Sequence, residues 1–184
     1  MSACSVAVAA LLCASTPTRI VAGMPVQESI RVAGKTLHLN GAGVRRVAIF
    51  GAYLVALYLE EPEKDPEALV ASEKIKAVRL IFRLNISKKD VMEEFELGIR
   101  NNSPEELLPG LFHQLDVVRP IIPDMKRGQL LSFVYRPGKG TTVSVKGGKS
   151  IVVPGKDFSD ALLRSVVGKK PYDDKMREDL LRGW

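Results

Sequence analysis

The stretch that most limits what this chain can fold into runs from Leu39 to Glu60, LNGAGVRRVAIFGAYLVALYLE. After a Gly-Ala-Gly element and two arginines, its residues are almost all apolar, and many are β-branched or aromatic. This composition favours strand, and a strand so apolar must be buried on both faces. Gly41 and Gly43 permit either a turn with positive φ or the close approach of another backbone segment. Arg45 and Arg46 therefore place two positive charges directly before a buried strand.

Composition limits the class of protein. The 184 residues suffice for one domain with a core and are few for two. An apolar fraction of 46% with 26% charged residues is typical of globular proteins and argues against wholesale disorder. The net charge of +6 comes from cations spread along the chain, and the aromatic residues are not interleaved with basic runs. We therefore expect weak attraction to anions and no nucleic-acid partner.

The N-terminal segment holds both cysteines and an apolar run from Val6 to Ala14. The run has signal-peptide length and is too short to span a bilayer, and small residues at 21–23 offer a cleavage site. No lysine or arginine precedes the run, so a buried N-terminal helix is the alternative. We expect a signal peptide or a disordered segment over residues 1–23, a single domain over 24–184, export to the periplasm, and no stable membrane insertion.

The remaining chain alternates between blocks of strands and blocks of helices. Strands are predicted at 26–32, 36–39, one or two within 39–60, 74–84, 129–135, 141–145 and 150–153. Helices are predicted from Pro66, after the cap residues Ser87 and Ser103, from Asp157 and from about Asp173. This segregation predicts an α+β fold with a mainly antiparallel sheet and helices on one face.

The chain lacks the sequence signatures of common catalytic sites. It has no phosphate-binding loop, no dinucleotide-binding glycine motif, no nucleophile elbow and no His-Glu-x-x-His motif. Two histidines and two N-terminal cysteines make a metal site improbable, so we expect no metal and no cofactor. His113 lies beside an apolar helical stripe without a partner carboxylate, which is typical of a surface histidine. Nucleophilic and metal-assisted catalysis are therefore not expected.

Two blocks resemble the chalcone isomerase fold family, and most closely its bacterial-type chalcone isomerase-like branch. The first is L-N-G-A-G-V-R-R through A-L-Y-L-E at 39–60, and the second is P-G-K-D-F-S-D-A-L-L-R-S-V-V-G-K-K-P at 154–171. With the helix after Ser87 between them, the resemblance covers residues 25–182. It implies an open-faced β-sandwich, in which a layer of helices covers one face of a large antiparallel sheet.

The resemblance implies a cleft with an arginine in it. Plant members of the family close a chalcone to a flavanone, and an arginine of the G-A-G-x-R motif polarises the substrate carbonyl. Other members are not catalytic and bind fatty acids in the same cleft, where this arginine holds the carboxylate. Arg45 matches the arginine, and we prefer it to Arg46 because neighbouring residues of a strand face opposite sides. Without the resemblance, a solvated arginine at a strand start is the expected role.

Four further positions correspond to the family's cleft, and only Ser165 keeps the residue type that the family has there. Ser165 matches a Ser/Thr position that lines the plant substrate cleft, and Tyr53 falls near a family threonine. Val91 stands near the expected cleft tyrosine and Gly98 near the following asparagine, so two polar groups of the plant catalytic set are missing. Polar groups that specify a substrate cannot be replaced by apolar ones without losing discrimination.

We therefore expect a non-catalytic protein that binds a small apolar ligand with an anionic or carbonyl end, such as a fatty acid. The candidate site residues are Arg45, Tyr53, Ser165 and Val91. One alternative is an intramolecular lyase of the chalcone isomerase type, in which Arg45 stabilises developing enolate charge. Another is a structural or interaction protein that keeps the fold with a closed cleft. The identity of the ligand and the oligomeric state stay open.

Overall fold

The computed structural model describes residues 16–183, so the first fifteen residues of the predicted N-terminal segment lie outside the described residues. The described chain begins with strand β1 (Thr18–Val21), which pairs with β2 (Met24–Gln27) in a two-stranded antiparallel sheet. The cleavage site expected at 21–23 coincides with the turn of this hairpin. Export and the domain boundary at residue 23 stay predictions.

A seven-stranded antiparallel sheet follows, and its strands lie side by side in chain order. They are β3 (Ser29–Val32), β4 (Lys35–Val47), β5 (Phe50–Leu59), β6 (Lys76–Phe82), β7 (Leu130–Arg136), β8 (Gly140–Val145) and β9 (Ser150–Val153). Each strand pairs antiparallel with the next. The predicted antiparallel sheet is therefore confirmed, with one long strand β4 where the sequence predicts two segments.

The helices fall between β5 and β6, between β6 and β7, and after β9. They are α1 (Pro66–Ala71), α2 (Lys88–Asn102), α3 (Leu108–Val118), α4 (Asp157–Val167) and α5 (Asp174–Leu180), with 3₁₀ helices at Glu105–Leu107 and Arg119–Ile121. The α+β class is thus confirmed. Within residues 16–183, none of the helices has the length and apolar character needed to traverse a lipid bilayer.

The helix starts show where capping rules succeed and where they fail. The Ser87 hydroxyl accepts a hydrogen bond from the backbone N–H of Asp90, as predicted. Ser103 does not start a helix; it ends α2 in an extended conformation, which the following proline favours. A 3₁₀ turn intervenes, and α3 begins only at Leu108, next to a second proline at 109 that fits a first helical turn.

Strand β5 is buried on both faces, and this burial divides the core in two. Odd-numbered residues from Tyr53 to Leu59 join the core formed with the helices. Even-numbered residues from Leu54 to Tyr58 join a second core on the opposite face, together with Val26 of β2. The Tyr58 hydroxyl donates to the backbone oxygen of Gln27 at 3.0 Å, which ties the small hairpin to this second face.

The Gly-Ala-Gly element is part of strand β4 and forms no turn. Neither Gly41 nor Gly43 has a positive φ, and both lie under helix α5. A Cβ atom on Gly41 would overlap the backbone oxygens of Asp179 and Leu180, and one on Gly43 would lie 2.8 Å from the Cα of Met176. The close approach of another backbone segment, one of the two roles considered for these glycines, is therefore confirmed.

Substituting Gly41→Ala should lower the free energy of unfolding by about 3 kcal/mol or more, because the added methyl group forces α5 away from β4. The matched control is Gly110→Ala in α3, where nothing lies within 4 Å of the new Cβ and helix propensity favours alanine by up to about 1 kcal/mol. Urea denaturation of both variants measures the difference. Equal stability of the two variants would contradict the seating of α5 on β4.

Candidate functional site

Arg45 lies near the end of β4, on the face of the sheet that the helices cover. Because side chains alternate along a strand, Arg45 shares the face of Gly41 and Gly43, on which α5 is seated. Tyr53 of β5 is the direct cross-strand partner of Arg45 and therefore points to the same side. Tyr172 precedes α5, and its ring centroid lies 5.9 Å from the Arg45 guanidinium carbon. The close approach of α5 to Gly41 and Gly43 thus brings Tyr172 next to Arg45.

Glu94 of α2 holds the Arg45 guanidinium. Nε of Arg45 donates to Oε1 of Glu94 at 2.6 Å, and Nη1 donates to the backbone oxygen of Arg46. The two side chains are only 22% and 17% exposed, so little solvent screens the pair. Burial alone would lower the pKa of Arg45, but the hydrogen bond and charge of Glu94 outweigh burial and raise it. The guanidinium is therefore charged and already has a carboxylate partner.

Two tyrosine hydroxyls lie buried beside this ion pair without an ordinary hydrogen bond. The Tyr53 hydroxyl still has a polar contact with the Glu94 carboxylate that affects its pKa, and the Tyr172 hydroxyl has one with Ser165 that lowers its pKa, but neither contact has the geometry of an ordinary hydrogen bond. Burial raises the pKa of both tyrosines well above the usual range, and the negative charge of Glu94 adds to the increase. Both hydroxyls are therefore protonated donors. Leaving such a group unpaired costs about 1–3 kcal/mol, so a polar acceptor at this position would be favourable.

Ser165 and Gly98 pack against the hydroxyl end of Tyr172. The Ser165 hydroxyl is fully buried and donates to the backbone oxygen of Ala161 in its own helix at 2.9 Å. A Cβ on Gly98 would lie 2.6 Å from Oγ of Ser165 and would overlap the Tyr172 hydroxyl. The residue at 98 is thus small because the tyrosine ring needs the space. Ser165 supports Tyr172 and has its proton engaged elsewhere.

Val91 lies in the first turn of α2, only 4% exposed, and packs in the main core. It supplies no polar group and does not line the cavity beside the tyrosines. Of the four candidates from the sequence, the structure brings Arg45 and Tyr53 together, places Ser165 next to them through Tyr172, and leaves Val91 apart.

A small apolar cavity lies between the sheet and the helices, next to the two tyrosines. Tyr53 and Tyr172 line it together with apolar side chains of β5, β6, β7, α2 and α4. Its volume is about 20 Å³, which is room for roughly one water molecule. A ligand with an extended hydrocarbon chain therefore requires the helices to separate from the sheet.

Lys76 is a second buried cation, but its contacts give it a structural role. It is 2% exposed, and its ammonium group donates to the backbone oxygens of Leu69 and Val70 at the end of α1. Burial, with the neighbouring charge of Lys156, lowers the pKa of Lys76 to about 8. Among residues 16–183, no group of three or more His, Cys, Asp or Glu side chains is arranged to hold a metal ion.

Sequence reasoning missed Glu94 and Tyr172. Glu94 lies among charged residues typical of a solvated helix face, but it also lies three residues after Val91 and four before Gly98. That spacing places it on the edge of the buried stripe, and this was the signal available. Tyr172 had no comparable signal, because only the seating of α5 brings it to Arg45.

Comparisons with known proteins agree with this architecture. A family model described as chalcone isomerase-like matches residues 18–182. Among solved structures, a fatty-acid binding protein of Arabidopsis thaliana superposes with a TM-score of 0.67 at 16% sequence identity, covering 90% of this chain and 96% of the other. At that identity the likeness establishes the fold. No curated protein matches the sequence at a significant level.

Substituting Tyr53→Phe should raise the free energy of unfolding by about 1 kcal/mol, because it removes a buried hydroxyl that lacks a hydrogen bond. The matched control is Tyr58→Phe on the opposite face of β5, which should lower it by about 1 kcal/mol because its bond to Gln27 is lost. Both tyrosines are almost fully buried. Urea denaturation distinguishes the two, and an equal loss in both variants would contradict the unpaired state of the Tyr53 hydroxyl.

Proposed function

Because this chain belongs to the chalcone isomerase-like family, we propose that it binds a fatty acid, or a similar apolar ligand with one anionic end, without converting it. The observation that carries the proposal is the shielded guanidinium of Arg45 beside two buried tyrosine hydroxyls that lack hydrogen bonds. The similarly folded Arabidopsis protein is itself a fatty-acid binding protein, which supports the choice of ligand class.

The three polar groups suit a carboxylate. Arg45 supplies a charge-assisted donor, and the hydroxyls of Tyr53 and Tyr172 supply two neutral donors that stay protonated because their pKa values are raised. The apolar side chains of the adjoining cavity, such as Leu80 and Phe133, would contact the hydrocarbon chain. Burial of that chain contributes about 25 cal/mol per Å² of apolar surface.

Glu94 occupies the position that the ligand's carboxylate would take. Its Oε1 atom accepts from Arg45 at 2.6 Å, which is the contact that a bound fatty acid would make. Ligand binding therefore displaces Glu94 and opens the cavity, whose present volume is about 20 Å³. Such a closed state lowers the apparent affinity in proportion to the population of the open form.

Two observations favour binding over conversion: the apolar residues at two expected catalytic positions, and the protonated state of the two tyrosines near Arg45. The residues at the plant tyrosine and asparagine positions are Val91 and Gly98, which carry no polar side chain. The raised pKa values of Tyr53 and Tyr172 make both poor proton acceptors at neutral pH. An isomerase would need these partners to position its substrate.

Substituting Arg45→Met should weaken the binding of a long-chain fatty acid about tenfold or more, because the charge-assisted hydrogen bond is worth about 1.5–3 kcal/mol. The matched control is Arg119→Met. Arg119 bonds Glu96 of α2, the helix that also carries Glu94, at 2.6 Å, and it does not line the cavity. Displacement of a fluorescent fatty acid measures affinity, and mass spectrometry of extracts identifies copurified ligands. Absence of fatty-acid binding by the unmodified protein contradicts the proposal, and turnover of a chalcone that depends on Arg45 favours the lyase.

Substituting Glu94→Gln should strengthen fatty-acid binding about tenfold, because the competing carboxylate no longer holds Arg45. The control is Glu96→Gln, which removes a carboxylate that bonds an arginine at the same 2.6 Å distance on the outside of α2. The same displacement assay compares the two. Weaker binding in Glu94→Gln would mean that Glu94 positions Arg45 for the ligand and does not compete with it.

A further inference from the structure

The tip of the β4–β5 hairpin carries apolar side chains that no part of the described chain covers. Ile49 is 86% exposed, Phe50 is 61% exposed and Val47 is 53% exposed. Leu84, which follows β6, is 43% exposed and lines the same open groove as Ile49 and Phe50. Four of the eight large hydrophobic side chains that are exposed within residues 16–183 therefore gather at one end of the sheet.

Three arginines line this groove, whose volume is about 550 Å³, and no acidic residue does. They are Arg46, Arg83 and Arg127. Arg46 approaches Asp173 only at 3.9 Å and is 47% exposed. Among the described residues, neither Arg83 nor Arg127 forms an ion pair. The groove therefore combines exposed hydrocarbon with two arginines that have no carboxylate partner within residues 16–183 and a third, Arg46, that is only loosely paired with Asp173.

We propose that this hairpin tip docks on a membrane surface that contains anionic lipids. Apolar side chains at the apex would enter the boundary between headgroups and acyl chains, while the arginines would contact lipid phosphates. Such a mode is peripheral and needs no spanning segment. It uses both features of the groove, since an apolar tip alone would not select anionic lipids and arginines alone would bind any polyanion.

Charge argues against a second copy of this chain as the occupant. In a two-fold dimer the same surface meets itself, which would bring the three arginines of one copy against those of the other. A bilayer instead offers many phosphates and an apolar interior in one surface. A protein partner with an acidic, apolar face is the competing occupant, and the experiment separates it from lipid.

The test is cosedimentation of the full-length protein with phosphatidylcholine vesicles, with and without roughly 30% phosphatidylglycerol. We expect binding only to the anionic vesicles, and its reduction by added salt. The double variant Ile49→Glu/Phe50→Glu should bind at least tenfold more weakly, and Arg83→Gln/Arg127→Gln about tenfold more weakly. The control Leu97→Glu replaces a side chain of α2 that is 55% exposed and does not line the groove, and it should bind normally.

A second measurement detects the tip itself. In Phe50→Trp, tryptophan emission should shift to shorter wavelength with anionic vesicles, beyond any shift of the unmodified protein, whose one tryptophan is Trp184. Circular dichroism establishes that each variant is folded. No binding to anionic vesicles, no shift in Phe50→Trp, or an equal loss in Leu97→Glu would overturn the proposal. Capture of a protein that depends on Ile49 and Phe50, without vesicle binding, would also overturn it.

Discussion

The fold depends on the burial of both faces of β5. A strand with eight consecutive buried residues needs a cover on each side, and the chain provides two different ones. Helices α2, α3 and α4 cover one face, and the small β1–β2 hairpin covers the other near Val26. Because β5 pairs with β4 and β6, this requirement also fixes three adjacent strands of the sheet. The remaining strands extend from these three in chain order on either side.

The position of Arg45 follows from the same arrangement. The two glycines of β4 let α5 approach closely, and the residue next on that face is Arg45. The pairing of β4 with β5 places Tyr53 opposite it, and the start of α5 places Tyr172 above it. The G-A-G-x-R motif is therefore one structural unit, in which the glycines determine what surrounds the arginine.

The sequence predicted the elements more fully than their contacts. Alternation and capping located most strands and helices because those signals are local, as at Ser87. They failed at Ser103, where two closely spaced prolines delayed the helix. The resemblance supplied Arg45 and Tyr53, but Glu94 and Tyr172 come from distant segments and depend on helix packing. The choice of Arg45 over Arg46 followed from strand alternation, which the structure preserves up to the irregularity between them.

The energetics of the site argue against a purely structural role. An ion pair shielded from water is often no more stabilising than well-packed apolar side chains, and two unpaired buried hydroxyls lower stability outright. In a cleft closed only for packing, phenylalanine at 53 would fill the same space without that cost. Under the proposed function, an acceptor that binds beside these donors would offset that cost. The tip of the β4–β5 hairpin can be interpreted in the same way. Ile49 and Phe50 are exposed and contribute little to the stability of the fold, so a binding role accounts for them better than a structural one.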